Sequence, residues 1–197
     1  MTTYGLIGYP LGHSFSRKFF TEKFEKEGTD AQYLNFEIPS IEEFPNIIKN
    51  SSTLRGLNVT IPYKQQVMQH LDEISKEAKA IGAVNVVKVS KEGLIGYNSD
   101  VIGFVNSIRP LLKPHHKKAL ILGTGGASKA IHYGLEEKLG METLFVSRTA
   151  RQGMITYEEV TTEVLKEYEV IVNCSPAGMF PHVDECPALP YEDMNER

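Results

Sequence analysis

Apolar and polar positions change rhythm repeatedly along this chain, from the two-residue period of strands to the three-to-four-residue period of helices. Residues 4–9 predict a short strand. Ser16 then opens a predicted helix that carries Phe19, Phe20 and Phe24 on one face and stops at Gly28. Over residues 33–38 the alternation is clean, with Leu34, Phe36 and Ile38 on one side. Ser40 and Glu43 have the spacing of a capping box, while Pro45, which lacks an N–H, offers a second start for the helix through Ile47 and Ile48. Residues 57–61 predict a strand halted by Pro62, followed by short helices over 65–71 and 75–81. A hairpin comes next, with strands at 85–89 and 94–97 around Lys91-Glu92-Gly93. These elements predict a first α/β domain over residues 1–100.

Residues 101–112 read as a helix stopped by Pro114, so 101–115 is expected to bridge two domains, with Gly103 as the flexible point. At 118–122 four apolar residues in a row predict a strand buried on both faces. Gly123-Thr-Gly-Gly-Ala-Ser-Lys-Ala130 follows, and Ala130, Ile131 and Leu135 recur at helical spacing. A strand that breaks at glycines into a helix directs unpaired N–H groups and the positive end of the helix dipole at one spot, which suits a phosphate. Gly123 permits the turn, and Gly125 and Gly126 let the backbone approach a ligand without a Cβ in the way. Ser128 stands where the third glycine of a dinucleotide fingerprint belongs. Alone, this corner is compatible with a nucleotide site and with an ordinary tight strand-to-helix turn.

Further strands are predicted at 143–147, 154–157 and 170–173, and no regular element from Pro176 onward. A doubly wound dinucleotide domain has about six strands. The expected fold is therefore α/β: a first α/β domain, then a Rossmann-like domain over 116–197 that is incomplete at its C-terminus.

Composition narrows the class. The chain has 197 residues and a net charge of −4, without a block of like charges, which argues against nucleic-acid and membrane-surface partners. No apolar run approaches the roughly 20 residues of a membrane span, and no basic-then-apolar leader is visible. Cys174 and Cys186 are expected to be free thiols in a reducing compartment, which makes the cytoplasm the expected location.

The strand ending at Ser147 decides between nucleotides. NAD sites place Asp or Glu there for the ribose hydroxyls, whereas Arg suits the 2′-phosphate of NADP. Here the sequence is Ser147-Arg148-Thr149-Ala150-Arg151, with no acid, and NADP is the expected cofactor. The plainer reading is that solvated arginines end a strand.

A hydride-carrying cofactor needs a partner site that binds an alcohol or carbonyl and handles one proton. Ser14 and Ser16 put two hydroxyls at a helix N-terminus, a seat for a carboxylate. Asn58 and Thr60 face one side of a strand, Lys64 follows its end, and Asn85 and Asp100 lie near the domain boundary. Plainer readings stand beside these. Lys64 alone reads as a solvated lysine, Asp100 as a helix N-cap and His13 as structural, and His115-His116 as solvated. His182 with Asp184, Glu185 and Cys186 lacks metal spacing, so no metal is expected.

The motifs Gly8-Tyr-Pro-Leu-Gly-His13-Ser14-Phe-Ser16, Asn58-Val-Thr60-Ile-Pro-Tyr-Lys64, Gly82-Ala-Val-Asn85 and Gly96-Tyr-Asn98-Ser-Asp100-Val-Ile-Gly103-Phe104 together resemble the shikimate dehydrogenase family in order and spacing. Gly123-x-Gly-Gly-Ala127, Ser147-Arg-Thr149 and Asn173-Cys-Ser-Pro-Ala-Gly178-Met179 extend the resemblance over nearly the whole chain. It implies NADP-linked reduction of 3-dehydroshikimate to shikimate, on the route to aromatic amino acids. It also implies that Ser14 and Ser16 hold the substrate carboxylate and that Thr60, Asn85 and Asp100 meet ring hydroxyls, with Asn58 in support. Lys64 and Asp100 would flank the reacting oxygen, in a cleft that closes about residues 100–104. Arg148 and Thr149, preceded by Ser147, would meet the 2′-phosphate. Gly123, Gly125, Gly126 and Ala127 would cradle the cofactor, with Met179 near the nicotinamide. The chain departs from the family at Arg17, where Pro is usual, and at Ser147, where Asn is usual; Arg151 precedes the usual place of the second basic residue. The family also continues for several dozen residues, so a quinate/shikimate dehydrogenase of relaxed specificity, a non-catalytic binding relative and an inactive fragment are the rival readings. A small-molecule substrate is the expected partner, and the chain is expected to be a monomer or a homodimer.

Overall fold

The chain divides into two compact units, Met1–Ser99 and Asp100–Arg197, and the computed structural model describes residues 1–12 and 14–194. The structural role expected of His13 thus lies outside the described residues.

The first unit runs β1 (Thr2–Gly8), α1 (Phe15–Glu27), β2 (Ala31–Glu37), α2 (Phe44–Asn50), β3 (Leu54–Val59), β4 (Glu73–Ile74), α3 (Lys76–Ile81), β5 (Val86–Ser90) and β6 (Gly93–Tyr97). Its six-stranded sheet has the order β2-β1-β3-β5-β6-β4. β1 is parallel to both β2 and β3, because α1 and α2 return the chain between them. β5 and β6 form the antiparallel hairpin, and Gly93 turns it at φ +130°, a conformation that favours glycine. Ile7, Phe44, Leu57, Val59, Val67, Val84 and Val87 make the main core, while Leu6, Leu11 and Tyr33 pack separately beneath Phe20 and Phe24.

Three local expectations change. Phe20 stacks on Tyr33 with ring centroids 4.7 Å apart and Phe24 meets Tyr4, but Phe19 is 46% exposed. Positions 20 and 24 are one turn apart on the helix, whereas 19 lies about 100° round from 20. No capping box forms at Ser40; its hydroxyl accepts from the Glu42 N–H within a 3-10 turn, and α2 begins at Phe44. The strand near 57–61 ends at Val59, and the next helical turn, a 3-10 turn, starts at Gln66, so Lys64 lies in the turn between them.

The second unit runs α4 (Asp100–Ile108), β7 (Lys118–Leu122), α5 (Gly126–Tyr133), β8 (Glu142–Ser147), β9 (Met154–Thr156), α6 (Thr162–Glu167) and β10 (Val170–Asn173). Its four strands are all parallel, in the order β10-β7-β8-β9. Leu120 and Ile121 of β7 are fully buried on opposite faces, as a central parallel strand requires. α4 packs inside this unit: a Cβ on Gly134 would stand 3.1 Å from Val105 and 3.3 Å from Phe104 and Val101. The helix is shorter than expected, since Pro110 falls in a separate 3-10 turn, Arg109–Leu111. α6, which is not among the predicted helices, starts where the Thr161 hydroxyl accepts from the Val164 N–H and packs Leu165 into the core. The tail after Pro176 also contains a short 3-10 turn, Tyr191–Asp193, where Leu189 and Met194 pack on the core. Among the described residues no helix is long and apolar enough to cross a membrane.

Candidate active site

In the first unit the parallel pairing of β1 and β3, with Ile7 opposite Val59, brings both carboxyl ends to one edge of the sheet. Such edges are where α/β sheets bind ligands, because loops and helix N-termini gather there. The chain leaving β1 reaches Ser14 and α1, and the chain leaving β3 reaches Thr60 and Lys64. Asn85 joins the same edge, since its carbonyl accepts the Val59 N–H at 2.8 Å. Strand order thus places the segments carrying Ser14, Ser16, Asn58, Thr60, Lys64 and Asn85 at one edge of the sheet.

The loop before α1 is fastened where the Leu11 N–H donates to Glu37 Oε2 at 3.0 Å. Ser14 sits at the N-cap of α1 but makes no capping bond, and its buried hydroxyl has no partner among the described residues. The Tyr33 hydroxyl donates at 2.7 Å to Asn58 Oδ1. Burial pushes the Tyr33 pKa up to about 12, the Ser16 hydrogen bond opposing it, so the phenol keeps its proton. Asn58 and Thr60 are half-buried, alternating with buried Leu57 and Val59. Lys64 is half-buried, and its carbonyl accepts from the Val84 N–H at 2.7 Å. Its neighbour Tyr63 is buried and donates to the Ile38 carbonyl at 2.6 Å, which pins the turn carrying the lysine. Burial, and then the Glu43 charge, raise the Tyr63 pKa.

Asn85 is 8% exposed, and its side chain stitches the domain edge: Oδ1 accepts the Ser99 N–H at 2.8 Å and Nδ2 donates to Ser99 Oγ at 3.1 Å. Asn98 is buried and donates to the Ala83 carbonyl. The Gly82–Asn85 and Gly96–Ser99 motifs are therefore bound to one another. Tyr33 and Tyr63 are the residues sequence reasoning missed. Each is a buried tyrosine, Tyr33 on β2 and Tyr63 in the turn after β3, where a phenol must find a hydrogen-bond partner.

In the second unit β7 lies between β10 and β8, and the corresponding edge collects the other predicted residues. Gly123 follows β7 with φ +102°, and a Cβ there would stand 3.2 Å from the Cys174 and Ser175 backbone. Gly125 caps α5 without a side-chain bond, and a Cβ on it would meet nothing within 4 Å. The N–H groups of Gly126 and Ala127 thus open the helix at an uncrowded corner. Ser128 is fully buried and donates to the Gly125 carbonyl at 2.7 Å, so it replaces the third glycine by fastening the corner. After β8, buried Ser147 accepts the Thr149 N–H at 3.4 Å, while Arg148, Thr149 and Arg151 are exposed. Met179 is exposed in the loop after β10, which Asn173 braces by accepting from the Ser175 N–H at 2.9 Å. Asp100 is the first residue of α4, one place further into the helix than the N-cap expected of it, where its carboxylate favours the positive end of the dipole. The open corner at Gly125 and the cation at Arg148 fit a phosphorylated dinucleotide. Among the described residues no group of three or more His, Cys, Asp or Glu side chains could hold a metal ion.

A family model of the shikimate dehydrogenase substrate-binding domain matches residues 6–87. The shikimate dehydrogenase (NADP(+)) of Caldicellulosiruptor saccharolyticus is 35% identical over 92% of this chain and 71% of its own length. That of Bacillus cytotoxicus is 37% identical over 93% of this chain and 72% of its own. Among solved structures, the shikimate 5-dehydrogenase of Thermus thermophilus in complex with NADP(H) and shikimate superposes with a TM-score of 0.83 at 30% identity, covering 98% of this chain and 75% of that one. The shikimate dehydrogenase of Aquifex aeolicus gives 0.84 at 33% identity, again over 98% of this chain and 75% of that one. With two sheet edges, one carrying the serine, asparagine and lysine motifs and the other the glycine corner and its arginine, this chain belongs to the shikimate dehydrogenase family.

Proposed function

We propose that the chain catalyses the reversible, NADP-dependent reduction of 3-dehydroshikimate to shikimate, with Ser14, Ser16, Asn58, Thr60, Lys64, Asn85 and Asp100 serving the substrate. The observation that carries this assignment is the Ser14 hydroxyl, a buried donor without a partner among the described residues, at the N-terminus of α1. A buried unpaired hydroxyl costs about 1–3 kcal/mol, which a carboxylate would recover while also meeting the helix dipole. Asn58 and Thr60 lie beside it on β3 and its extension, where a polyhydroxylated ring finds an amide and a hydroxyl.

Gly123, Gly125, Gly126 and Ala127 hold the pyrophosphate, Arg148 and Thr149 on the loop shaped by Ser147 hold the 2′-phosphate, and Met179 lies against the nicotinamide. NADPH, when bound, supplies the hydride. Lys64 is the group that stabilises negative charge on the reacting oxygen and hands it a proton, with Asp100 as its acidic counterpart. The two cysteines are unpaired, which supports the cytoplasm as the compartment. Burial pushes the Cys174 thiol up to about 11, so it is not a nucleophile at neutral pH.

Mixing the protein with NADPH and 3-dehydroshikimate and following absorbance at the reduced-nicotinamide band tests the assignment. Consumption that needs both reagents is expected. No consumption, with folded protein and bound NADPH, would remove the enzymatic reading.

A further inference from the structure

We propose that Tyr33 is a positioning residue for the substrate: its hydroxyl, bonded to the Asn58 carbonyl oxygen, fixes the Asn58 amide so that Asn58 meets the ligand as a hydrogen-bond donor. The inference rests on the function proposed above, since it takes the Ser16–Asn58 edge to be the substrate seat.

Tyr33 is 4% exposed, in the middle of β2, opposite Tyr4 of β1. Its ring is stacked on Phe20 at an interplanar angle of 13°, so α1 and β2 leave it little room to turn. A phenol has one proton to give. That proton goes to Asn58 Oδ1, 2.7 Å away. An oxygen that accepts this proton must be the amide carbonyl, and the NH2 of Asn58 is thereby set on the other branch of the side chain. An amide has two nearly isosteric ends, and nothing in its own shape chooses between them. Here the choice is made by a residue on another strand.

The Ser14 hydroxyl has no partner among the described residues, so a carboxylate arriving at the α1 N-terminus takes a proton from it without breaking a bond and leaves the Tyr33-to-Asn58 bond in place.

Tyr33→Phe keeps the ring and its stack on Phe20 and removes only the hydroxyl. Shikimate affinity is measured by calorimetry and by KM for the parent protein, Tyr33→Phe, Asn58→Ala and the double variant, with NADPH affinity and Tm as checks. Tyr33→Phe is expected to raise the shikimate Kd and KM about five- to tenfold, to change kcat less than twofold and to leave NADPH binding unchanged. In the Asn58→Ala background the same substitution is expected to have less than a twofold effect, because the residue it acts through is gone. Equal effects in both backgrounds, or loss of NADPH affinity together with a collapsed Tm, would show a purely structural tyrosine and overturn the proposal. If Asn58→Ala lowers shikimate affinity while Tyr33→Phe does not, the positioning role fails and the substrate seat stands. If the folded parent does not bind shikimate, or Asn58→Ala has no effect, the seat itself is misassigned and the proposal falls with it.

Discussion

The two sheet edges proposed to hold ligands are built in opposite ways. At the edge of the first unit the proposed binding groups are side chains held by other side chains: Asn58 by Tyr33 and Asn85 by Ser99. At the edge of the second unit the proposed binding groups are mainly main-chain N–H groups at the start of α5, and Ser128 serves the turn itself through the Gly125 carbonyl. A polyhydroxylated ring must be recognised group by group, so donors and acceptors need fixed identities and fixed directions. A pyrophosphate needs only converging N–H groups and room, and the absence of a Cβ supplies both. Substitutions should therefore remove specific chemistry in the first unit and, Arg148 apart, reshape access or folding in the second.

The largest effect is expected at Lys64. Replacing it by alanine should lower kcat for 3-dehydroshikimate reduction by about 10²–10⁴, the usual worth of a positioned acid, while KM changes only a few-fold. A kcat within threefold of the parent would take Lys64 out of the chemistry and leave the first edge as a binding surface only. The second effect belongs to the other edge. Arg148 is exposed at the end of β8, and charge-assisted bonds from it to a 2′-phosphate would be worth about 1.5–3 kcal/mol. Arg148→Ala should accordingly weaken NADPH about 10–100-fold and leave NADH binding unchanged, which titrations of the two nucleotides measure directly. Equal losses for both would mean that the arginine shapes the loop rather than reading the phosphate.

How much of this was legible in the sequence follows from the same contrast. The glycine corner, the four-residue apolar strand and the arginine after β8 are local features, and each lies where local pattern put it. The motifs of the first unit were legible as motifs, yet their partners were not. That Asn85 closes on Ser99, or that Tyr33 reaches Asn58 across 25 residues of chain, follows from the strand order β2-β1-β3 and from the register Tyr4–Tyr33 and Leu6–Asn58. Side-chain periodicity carries no information on which strands become neighbours. α6 was missed although Val160, Val164, Leu165 and Tyr168 recur at helical spacing, because a helix of six residues passes for a connection between strands, and Asp100 read as a cap because one residue of shift cannot be told from composition.

The finest test of the contrast lies inside the corner, where two glycines two residues apart are glycine for different reasons. Gly123 is held at φ +102° against the Cys174 backbone, so an alanine there is strained by its own torsion and crowded at 3.2 Å by main chain that cannot rotate away. Such strain costs about 1–3 kcal/mol. Gly125 has φ −79° and open space where its Cβ would be, so alanine is free to adopt the conformation. Gly123→Ala should lower Tm by several degrees. Gly125→Ala should leave Tm within about a degree and instead weaken NADPH, because the added methyl occupies the approach to the N–H groups of Gly126 and Ala127. Calorimetric melting of both variants, with and without NADPH, separates the two. If Gly125→Ala melts early and Gly123→Ala does not, the main chain at this edge is organised for packing where it was taken to be organised for the ligand.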